Sequence, residues 1–193
     1  MKRDILELIK KSGSVRKFTK KSIKQNIIKI IVEGGFWGPS LFGIQPWRFV
    51  VIRKRPIINK IASIVYMSSK KKPIAFAKLL EIAARIIMDS KVLIAIYINH
   101  RIKNGAAKYG VICMKKGWMA ELLSAGASIQ NMFLLSSSLG LGAVWLDAPT
   151  IFSHQINKSL NEKNELIAFL ALGYPDQKIK RSYRSYKQIV KFI

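Results

Sequence analysis

Apolar positions recur along the chain at helical spacing, and breaks in the pattern suggest where each helix begins and ends. Residues 4–11 predict a short first helix. Ser22 and Gln25 are typical of a capping box that opens a second helix, which Gly34 and Gly35 would close. Three more helices are expected from Pro56 onward, at residues 75–89 and at residues 117–139, and a short one at 150–160.

Runs of β-branched and aromatic residues between these helices predict four strands. They cover residues 47–53, 91–99, 142–146 and 165–172. The second run is apolar throughout, which is typical of a central strand that is buried on both faces. Residues 100–116 are basic and contain glycine, so we expect a surface loop or a mobile cover over a site. The alternation predicts a sheet covered by helices.

Residues 38–52 join a stiff loop to a predicted strand. Pro39 and Pro46 fix the backbone, whereas Gly38 and Gly43 allow close approach of another group. Such a loop could hold a flat ligand through backbone groups, or it could be a structural turn between a helix and a strand. The local pattern alone favours the turn.

Composition predicts one domain over residues 1–193 with affinity for anions. Half of the residues are apolar, and the formal net charge is +24. Such a charge attracts nucleic acid, anionic lipid or phosphorylated cofactors. The basic residues are scattered and do not alternate with aromatic residues, and the abundance of lysine and isoleucine is also typical of AT-rich coding. We therefore favour phosphate-bearing small molecules over nucleic acid or a membrane surface.

Few residues in the chain can support metal, disulfide or membrane chemistry. Cys113 is the single cysteine, and His100 and His154 are far apart in sequence, which argues against a disulfide or a metal cluster. Residues 122–146 carry no charge, but polar residues and glycines interrupt them, so a core helix followed by a strand is the better interpretation. Residues 1–11 lack an apolar signal-peptide core, and we expect a cytoplasmic protein.

The candidate catalytic residues are also few. The sequence has no nucleophile elbow, no plausible Ser/His/Asp set and neither of the glycine patterns typical of nucleotide-binding folds. An enzyme of this composition would need a cofactor to carry its reaction.

Four separated motifs resemble the nitroreductase-like family of FMN-dependent oxidoreductases, and the similarity covers essentially the whole chain. The motifs are Ser14-Val-Arg16-Lys-Phe18, Pro39-Ser40 through Gln45-Pro46-Trp47-x-Phe49, Gly126-x-x-x-Gln130-Asn131 with Gly140-Leu-Gly142, and Leu172-Gly-Tyr-Pro175 with a basic tail. The resemblance implies an α+β fold, a three-layer α/β/α sandwich with a central, mainly antiparallel sheet. It also implies FMN as cofactor and a homodimer with FMN at the interface.

The resemblance assigns flavin contacts to three segments and the tail. Ser14 and Arg16 would hold the phosphate and ribityl chain, the loop at 39–43 would line the isoalloxazine, and backbone N–H groups of 146–148 would approach its hydride-accepting nitrogen. Asp147 could instead be a helix N-cap or a turn residue, and the tail arginines could be solvated charges. The full set is Ser12, Gly13, Ser14, Arg16, Pro39, Ser40, Leu41, Gly43, Leu146, Asp147, Ala148, Arg181 and Arg184.

The chain departs from the family pattern at three positions. Ser12 stands where the family often has arginine, Gly43 where it typically has asparagine, and Ser124 where an acidic residue is common. These changes would weaken or rearrange FMN binding. We also expect Gln130 and Asn131 to make structural hydrogen bonds at the dimer core rather than to act in catalysis, and the four tryptophans, Trp37, Trp47, Trp118 and Trp145, to be core residues.

The expected function is hydride transfer from NAD(P)H through FMN to a nitroaromatic, quinone or enone, with no catalytic side chain. Residues 175–193 would pack on the partner subunit. Two alternatives remain open. One is a flavin-binding protein without reductase turnover, or a specialised flavin enzyme. The other is a basic binder of nucleic acid or of a membrane surface on the same fold.

Overall fold

A four-stranded antiparallel sheet lies at the centre of the computed structural model, which describes residues 2–179 and 188–193. The strands are β1 (Trp47–Ile52), β2 (Val92–Ile98), β3 (Gly142–Leu146) and β4 (Glu165–Gly173). Their order is β1-β2-β4-β3, so β2 and β4 are central and β3 is an edge strand. In the register, Val92 pairs with Leu172, and Gly142 pairs with Gly173.

Helices cover both faces of this sheet. They are α1 (Lys2–Lys11), α2 (Gln25–Phe36), α3 (Arg55–Ser69), α4 (Ile74–Asp89), α5 (Arg101–Ala107), α6 (Val111–Ser138) and α7 (Ser153–Leu160). Helices α3, α4 and α7 pack on one face, and α2 and α6 pack on the other. Short 3₁₀ turns follow at Leu41–Gly43 and Ala148–Phe152.

Strand β2 shows why this arrangement is stable. Its side chains alternate, so that Leu93 and Tyr97 face α3 and α4 while Ile94 and Ile96 face α2 and α6. Every residue of the strand is buried, as the unbroken apolar run predicted. The predicted three-layer α/β/α sandwich with an antiparallel sheet is confirmed.

The predicted capping box at Ser22 is wrong. Helix α2 begins at Gln25, and its N-cap residue, Lys24, makes no side-chain capping bond. The Gln25 carboxamide oxygen instead accepts a hydrogen bond from the Arg53 guanidinium, which follows β1. A contact between distant segments has therefore replaced the local one.

Residues 100–116 were expected to be a loop, but they form α5 and the start of α6. The carboxylate of Glu121, on α6, is completely buried beside the first turn of α5. Its Oε1 accepts hydrogen bonds from the N–H groups of Ile102 (2.8 Å) and Lys103 (3.3 Å). A negative charge at this position satisfies amides that have no partner within their own helix. Because Glu121 lies 19 residues beyond Ile102, local pattern could not reveal it.

Core assignments of individual residues are confirmed only in part. Asn131 donates a hydrogen bond from Nδ2 to the Gly34 carbonyl at 3.2 Å, as a structural role requires. Gln130 is exposed on the single chain, and its contact at a dimer core stays a prediction. Trp47 is buried. The prediction is wrong in this chain for the other three tryptophans, whose exposed fractions are 71% (Trp37), 37% (Trp118) and 45% (Trp145).

Candidate functional site

The connector between α1 and α2 crosses one end of the sheet and carries the first predicted motif. Ser14 forms a parallel bridge with Ala143 of β3, and Phe18 forms an antiparallel bridge with Pro175 after β4. The Phe18 side chain packs directly on Gly173, where an added Cβ would lie 2.6 Å from its ring. Glycine is therefore required there, and the crossing is fixed close to the sheet.

Hydrogen bonds from the segment after β4 hold the backbone around Arg16. Gln177 Oε1 accepts from the N–H groups of both Arg16 and Lys17, at 3.0 Å each. The N–H of Asp176 donates to the Lys17 carbonyl at 2.9 Å. The Arg16 side chain is left exposed, and no carboxylate in the described part of the chain pairs with it.

Ser12 belongs mainly to the end of α1. It is buried, its N–H donates to the Leu8 carbonyl at 2.8 Å, and its hydroxyl donates to the Ile9 carbonyl at 3.0 Å. Gly13 and Ser14 follow, half-buried beside β3. The Ser12 hydroxyl proton is thus engaged in the helix end, and Ser12 could contact a ligand only as a hydrogen-bond acceptor.

The segment Leu146-Asp147-Ala148 follows the edge strand β3 and turns sharply. Asp147 Oδ1 accepts a hydrogen bond from the N–H of Ala148 at 2.7 Å, and the Asp147 carbonyl accepts from Thr150 at 2.8 Å. Asp147 is therefore the N-cap of the 3₁₀ turn, and a flavin contact of its backbone stays a prediction. The Ala148 N–H is engaged within the chain.

A small cavity of about 140 Å³ brings two of the predicted segments together. Arg16 lines it, and so do Leu146, Asp147 and Ala148. Helix α4 forms another wall, to which Ile82, Ala83 and Ile86 contribute. Sequence reasoning missed this wall, because its residues look like any apolar helix face. It also missed the role of Gln177, for which a position in the predicted tail gave no signal.

The loop with Pro39, Ser40, Leu41 and Gly43 is rigid but separate. Ser40 Oγ accepts from the N–H of Gln45 at 3.0 Å, and the N–H of Leu41 donates to Ser124 Oγ on α6 at 3.4 Å. Gly43 has φ of +65°, a conformation that glycine adopts without strain. Among the described residues, neither cavity that contains Arg16 includes any of these four loop residues.

Neither of the tail arginines can be placed relative to this cavity. Arg181 and Arg184 lie outside the described residues. Within the described ranges, no group of three or more His, Cys, Asp or Glu side chains is arranged to hold a metal ion. No helix in the same part of the chain has the length and apolar composition needed to cross a bilayer.

Comparison with known proteins places these features in a family. The model of the Nitroreductase family matches residues 9–174. A protein of Methanothermobacter thermautotrophicus, provisionally named an NADH dehydrogenase/NAD(P)H nitroreductase, is 25% identical over 178 residues, which are 90% of this chain and 78% of that protein.

Solved structures agree in fold. A BluB-like flavoprotein of Clostridium difficile 630 superposes with a TM-score of 0.81, at 25% identity, and the alignment covers 98% of each chain. A protein of Desulfovibrio desulfuricans, provisionally named a nitroreductase and solved in complex with FMN, superposes with a TM-score of 0.74, at 23% identity, over 96% of this chain and 94% of the other. With its family match across most of its length, its three-layer sandwich and these relatives, the chain belongs to the nitroreductase family.

Proposed function

We propose that this chain is an FMN-dependent oxidoreductase, which takes a hydride from NAD(P)H and passes it to a small organic acceptor such as a nitroaromatic, a quinone or an enone. One observation carries the proposal: Arg16 and residues 146–148, distant in sequence, line one cavity. The resemblance assigns both segments to the flavin. Family membership and the relative named as an NAD(P)H nitroreductase support the same activity.

The donor chemistry of this cavity fits a flavin. The Arg16 guanidinium pairs with no carboxylate in the described part of the chain, so it is available to bind the FMN phosphate or another anionic group of the cofactor. The side chains of Ile82, Ala83 and Ile86 offer an apolar wall for a flat ring system. At about 140 Å³ the cavity is smaller than the roughly 300–1,000 Å³ of a typical ligand pocket, so a single chain would seat only part of FMN here.

The hydrogen-bond donor that faces the flavin ring can be assigned more narrowly than the motif allowed. The Ala148 N–H is already bound to the Asp147 carboxylate, whereas the N–H of Asp147 has no backbone partner among the described residues. We assign the donor role to the N–H of Asp147. A fixed amide dipole at this position would stabilise negative charge on the reduced cofactor.

When bound, FMN supplies the group that accepts and then donates the hydride. In the complete reaction a quinone, NAD(P)H and one proton give a hydroquinone and NAD(P)⁺. The chain itself binds and orients, with Arg16 as the cation and Asp147 as the amide donor. No side chain needs to exchange a proton with the substrate in this proposal, in agreement with the scarcity of catalytic residues.

A homodimer would complete the site. The loop residues Leu41 and Phe42 are exposed, as are Phe36 and Trp37 just before them, with 88% exposure at Phe42. Large apolar side chains clustered in this way are typical of an interface. We propose that a second copy of the chain covers them, and that its loop meets the Arg16 cavity of the first. A cytoplasmic location stays a prediction, which a fluorescent fusion would test.

Two other functions remain as competitors. A flavin-binding protein without reductase turnover is favoured by the engaged Ala148 N–H, since one donor fewer is then available to stabilise the reduced flavin. A nucleic-acid or membrane-surface binder is favoured only by the charge of +24. The colour of the purified protein separates these possibilities.

The test begins with the colour of the purified protein and its uptake of added FMN, and continues with anaerobic titration by NAD(P)H. A yellow protein that NAD(P)H bleaches, and that a quinone turns yellow again, supports the proposed reductase. A yellow protein that NAD(P)H cannot bleach supports the flavin binder. A colourless protein that takes up no added FMN, but binds DNA or anionic vesicles in a salt-dependent way, would overturn the proposal.

The variant Arg16→Ala tests the site itself. We expect its Kd for FMN to rise about 10-fold at low ionic strength, because a charge-assisted contact is lost, and by less as salt is added. The variant Lys29→Ala is the control, since it removes the same charge from an exposed position on α2, on the other face of the sheet. Equal FMN retention in Arg16→Ala and in the wild type would exclude Arg16 from the site.

A further inference from the structure

A second, larger pocket of about 710 Å³ opens beside the flavin cavity and is strongly basic. It lies where the chain enters β2 and leaves β4, between the connector and the last turns of α4. Six basic side chains line it: Arg16, Lys17, Lys20, Arg55, Arg85 and Lys91. The motifs assigned to the flavin account only for Arg16, so the other five cations are unexplained.

The pocket has positive charge that its own carboxylates do not neutralise. Asp89 and Asp176 line it, yet within the described ranges neither forms an ion pair with a basic residue. Arg85 and Lys91 likewise have no acidic partner in those ranges. Uncompensated cations around a concave surface attract an anion more strongly than the same cations dispersed over a convex one.

Part of this pocket is already rigid. The Arg55 guanidinium donates from Nη1 to the Ser90 carbonyl at 2.7 Å and from Nε to Asn59 Oδ1 at 3.0 Å. The Arg55 guanidinium is thereby fixed at the start of α3, and its other N–H groups can still donate hydrogen bonds to a ligand. Binding of a ligand to Arg55 would therefore cost less side-chain entropy than binding to a lysine that must first be ordered.

Apart from Gln177, the remaining lining of the pocket is apolar. Phe18, Ile82, Ile86 and Met88 contribute to its walls. A volume of this size is typical of sites for organic molecules rather than for inorganic ions. Cations beside an apolar wall therefore suit an organic anion, which has an aromatic or aliphatic body and a carboxylate or phosphate at one end.

The basic pocket adjoins the flavin cavity, and neither space is lined by Ser12 or Ser14. Arg16, Ile82 and Ile86 line both spaces. Ser14 lies beside the edge strand β3, whereas the connector residues that line the basic pocket begin at Arg16. A molecule seated in the pocket could thus extend towards residues 146–148, and Arg16 is the one residue assigned to the FMN phosphate that it would also contact.

We propose that this pocket binds the anionic end of the electron acceptor, so that the acceptors of the enzyme are carboxylate- or phosphate-bearing organic molecules. The inference rests on the proposed function and specifies its substrate class. For a nitro compound the overall reaction is R–NO₂ + NAD(P)H + H⁺ → R–NO + NAD(P)⁺ + H₂O. The pocket residues make and break no bonds in it, and they position the acceptor.

The experiment compares three acceptors of similar size with the FMN-loaded enzyme at constant ionic strength. They are 4-nitrobenzoate, 4-nitrophenyl phosphate and the neutral 4-nitrobenzamide. In the variant Arg85→Gln we expect KM to rise about 5- to 20-fold for one or both anions, because a charged partner is lost, and to change less than 2-fold for the amide. Which anion responds distinguishes a carboxylate site from a phosphate site. Lys29→Gln, with the same charge change on α2, should alter none of them.

Several results would overturn the inference. Equal KM ratios for anionic and neutral acceptors in Arg85→Gln would mean that the pocket does not select charge. Weaker FMN retention in this variant would mean that it holds the flavin phosphate. A rise in KM for NADPH alone would mean that the pocket binds the nicotinamide nucleotide instead of the acceptor. If NAD(P)H fails to bleach the wild-type flavin, the proposed function fails separately, and calorimetric titration of 4-nitrobenzoate into wild type and Arg85→Gln still decides whether the pocket binds organic anions.

Discussion

Replacing Glu121 with alanine should show how strongly one buried carboxylate stabilises the junction of α5 and α6. Glu121 is completely buried, and it accepts hydrogen bonds from the N–H groups of Ile102 and Lys103. Its other oxygen lies 3.3 Å from Nδ1 of His100, whose Nε2 lies 2.9 Å from Glu165 on β4. The carboxylate thus connects α6 both to the start of α5 and, through the imidazole, to the sheet.

The expected loss follows from these contacts. A hydrogen bond to a charged group contributes about 1.5–3 kcal/mol, and a donor left buried without a partner costs a similar amount. The Ile102 contact is short and buried, whereas the contacts of Lys103 and His100 are long and count for less. We expect Glu121→Ala to lower the free energy of unfolding by about 3 kcal/mol. Glu121→Gln keeps an acceptor for both amides, so its loss should be smaller, about 1–2 kcal/mol.

Urea denaturation, followed by circular dichroism, measures the free energy of unfolding of both variants and of the wild type. The slope m of this free energy against urea concentration should be the same in all three if they unfold in the same two-state transition. Hydrogen exchange at the amides of α5 adds a local measurement, since this helix should lose protection first. His100→Ala separates the imidazole contact from the amide contacts. The reasoning is refuted if Glu121→Ala stays within about 0.5 kcal/mol of the wild type, or if Glu121→Gln is equally destabilised.

Two further substitutions address the flavin loop and the core. Gly43→Asn places an amide where the family typically has one. The variant should fold normally, because asparagine tolerates a φ of +65° and no atom lies within 4 Å of an added Cβ. We expect its Kd for FMN to fall a few-fold in a fluorescence titration, and an unchanged or higher Kd would show that the loop contacts FMN differently. Tyr97→Phe removes a buried hydroxyl that has no partner among the described residues, so the free energy of unfolding at pH 8 should stay equal or rise by up to about 1 kcal/mol. Burial also raises the pKa of Tyr97 far above its ordinary value, so the wild type should lose stability as the pH rises above about 10, where the unfolded tyrosine ionises first. Urea denaturation at pH 8 and 10.5 should show a smaller loss in the phenylalanine variant, and equal losses would contradict this origin.

Local sequence was sufficient for most of the secondary structure. The apolar run at 91–99 predicted a strand buried on both faces because each of its side chains must contact one helical layer or the other, and β2 has this environment. The motifs likewise identified the family, because packing fixes the residue type at some of their positions. Gly173 is an example, since the Phe18 side chain packs directly on its backbone. Local pattern failed at 100–116, because the group that stabilises α5 comes from a distant turn of α6.

The candidate site depended more heavily on tertiary structure. The sequence proposed Arg16 and residues 146–148 as flavin contacts by resemblance, and only the fold brought them to one cavity, since the connector crosses the sheet end beside β3. The fold also placed Asp147 at the N-cap of a 3₁₀ turn, and it brought together the basic side chains of the pocket, which are spread between Arg16 and Lys91 in the sequence. The physical reason is the range of the interactions. Periodicity records which face of each element is buried, whereas the partner of a polar or charged side chain is decided by the packing of segments that are far apart in the chain.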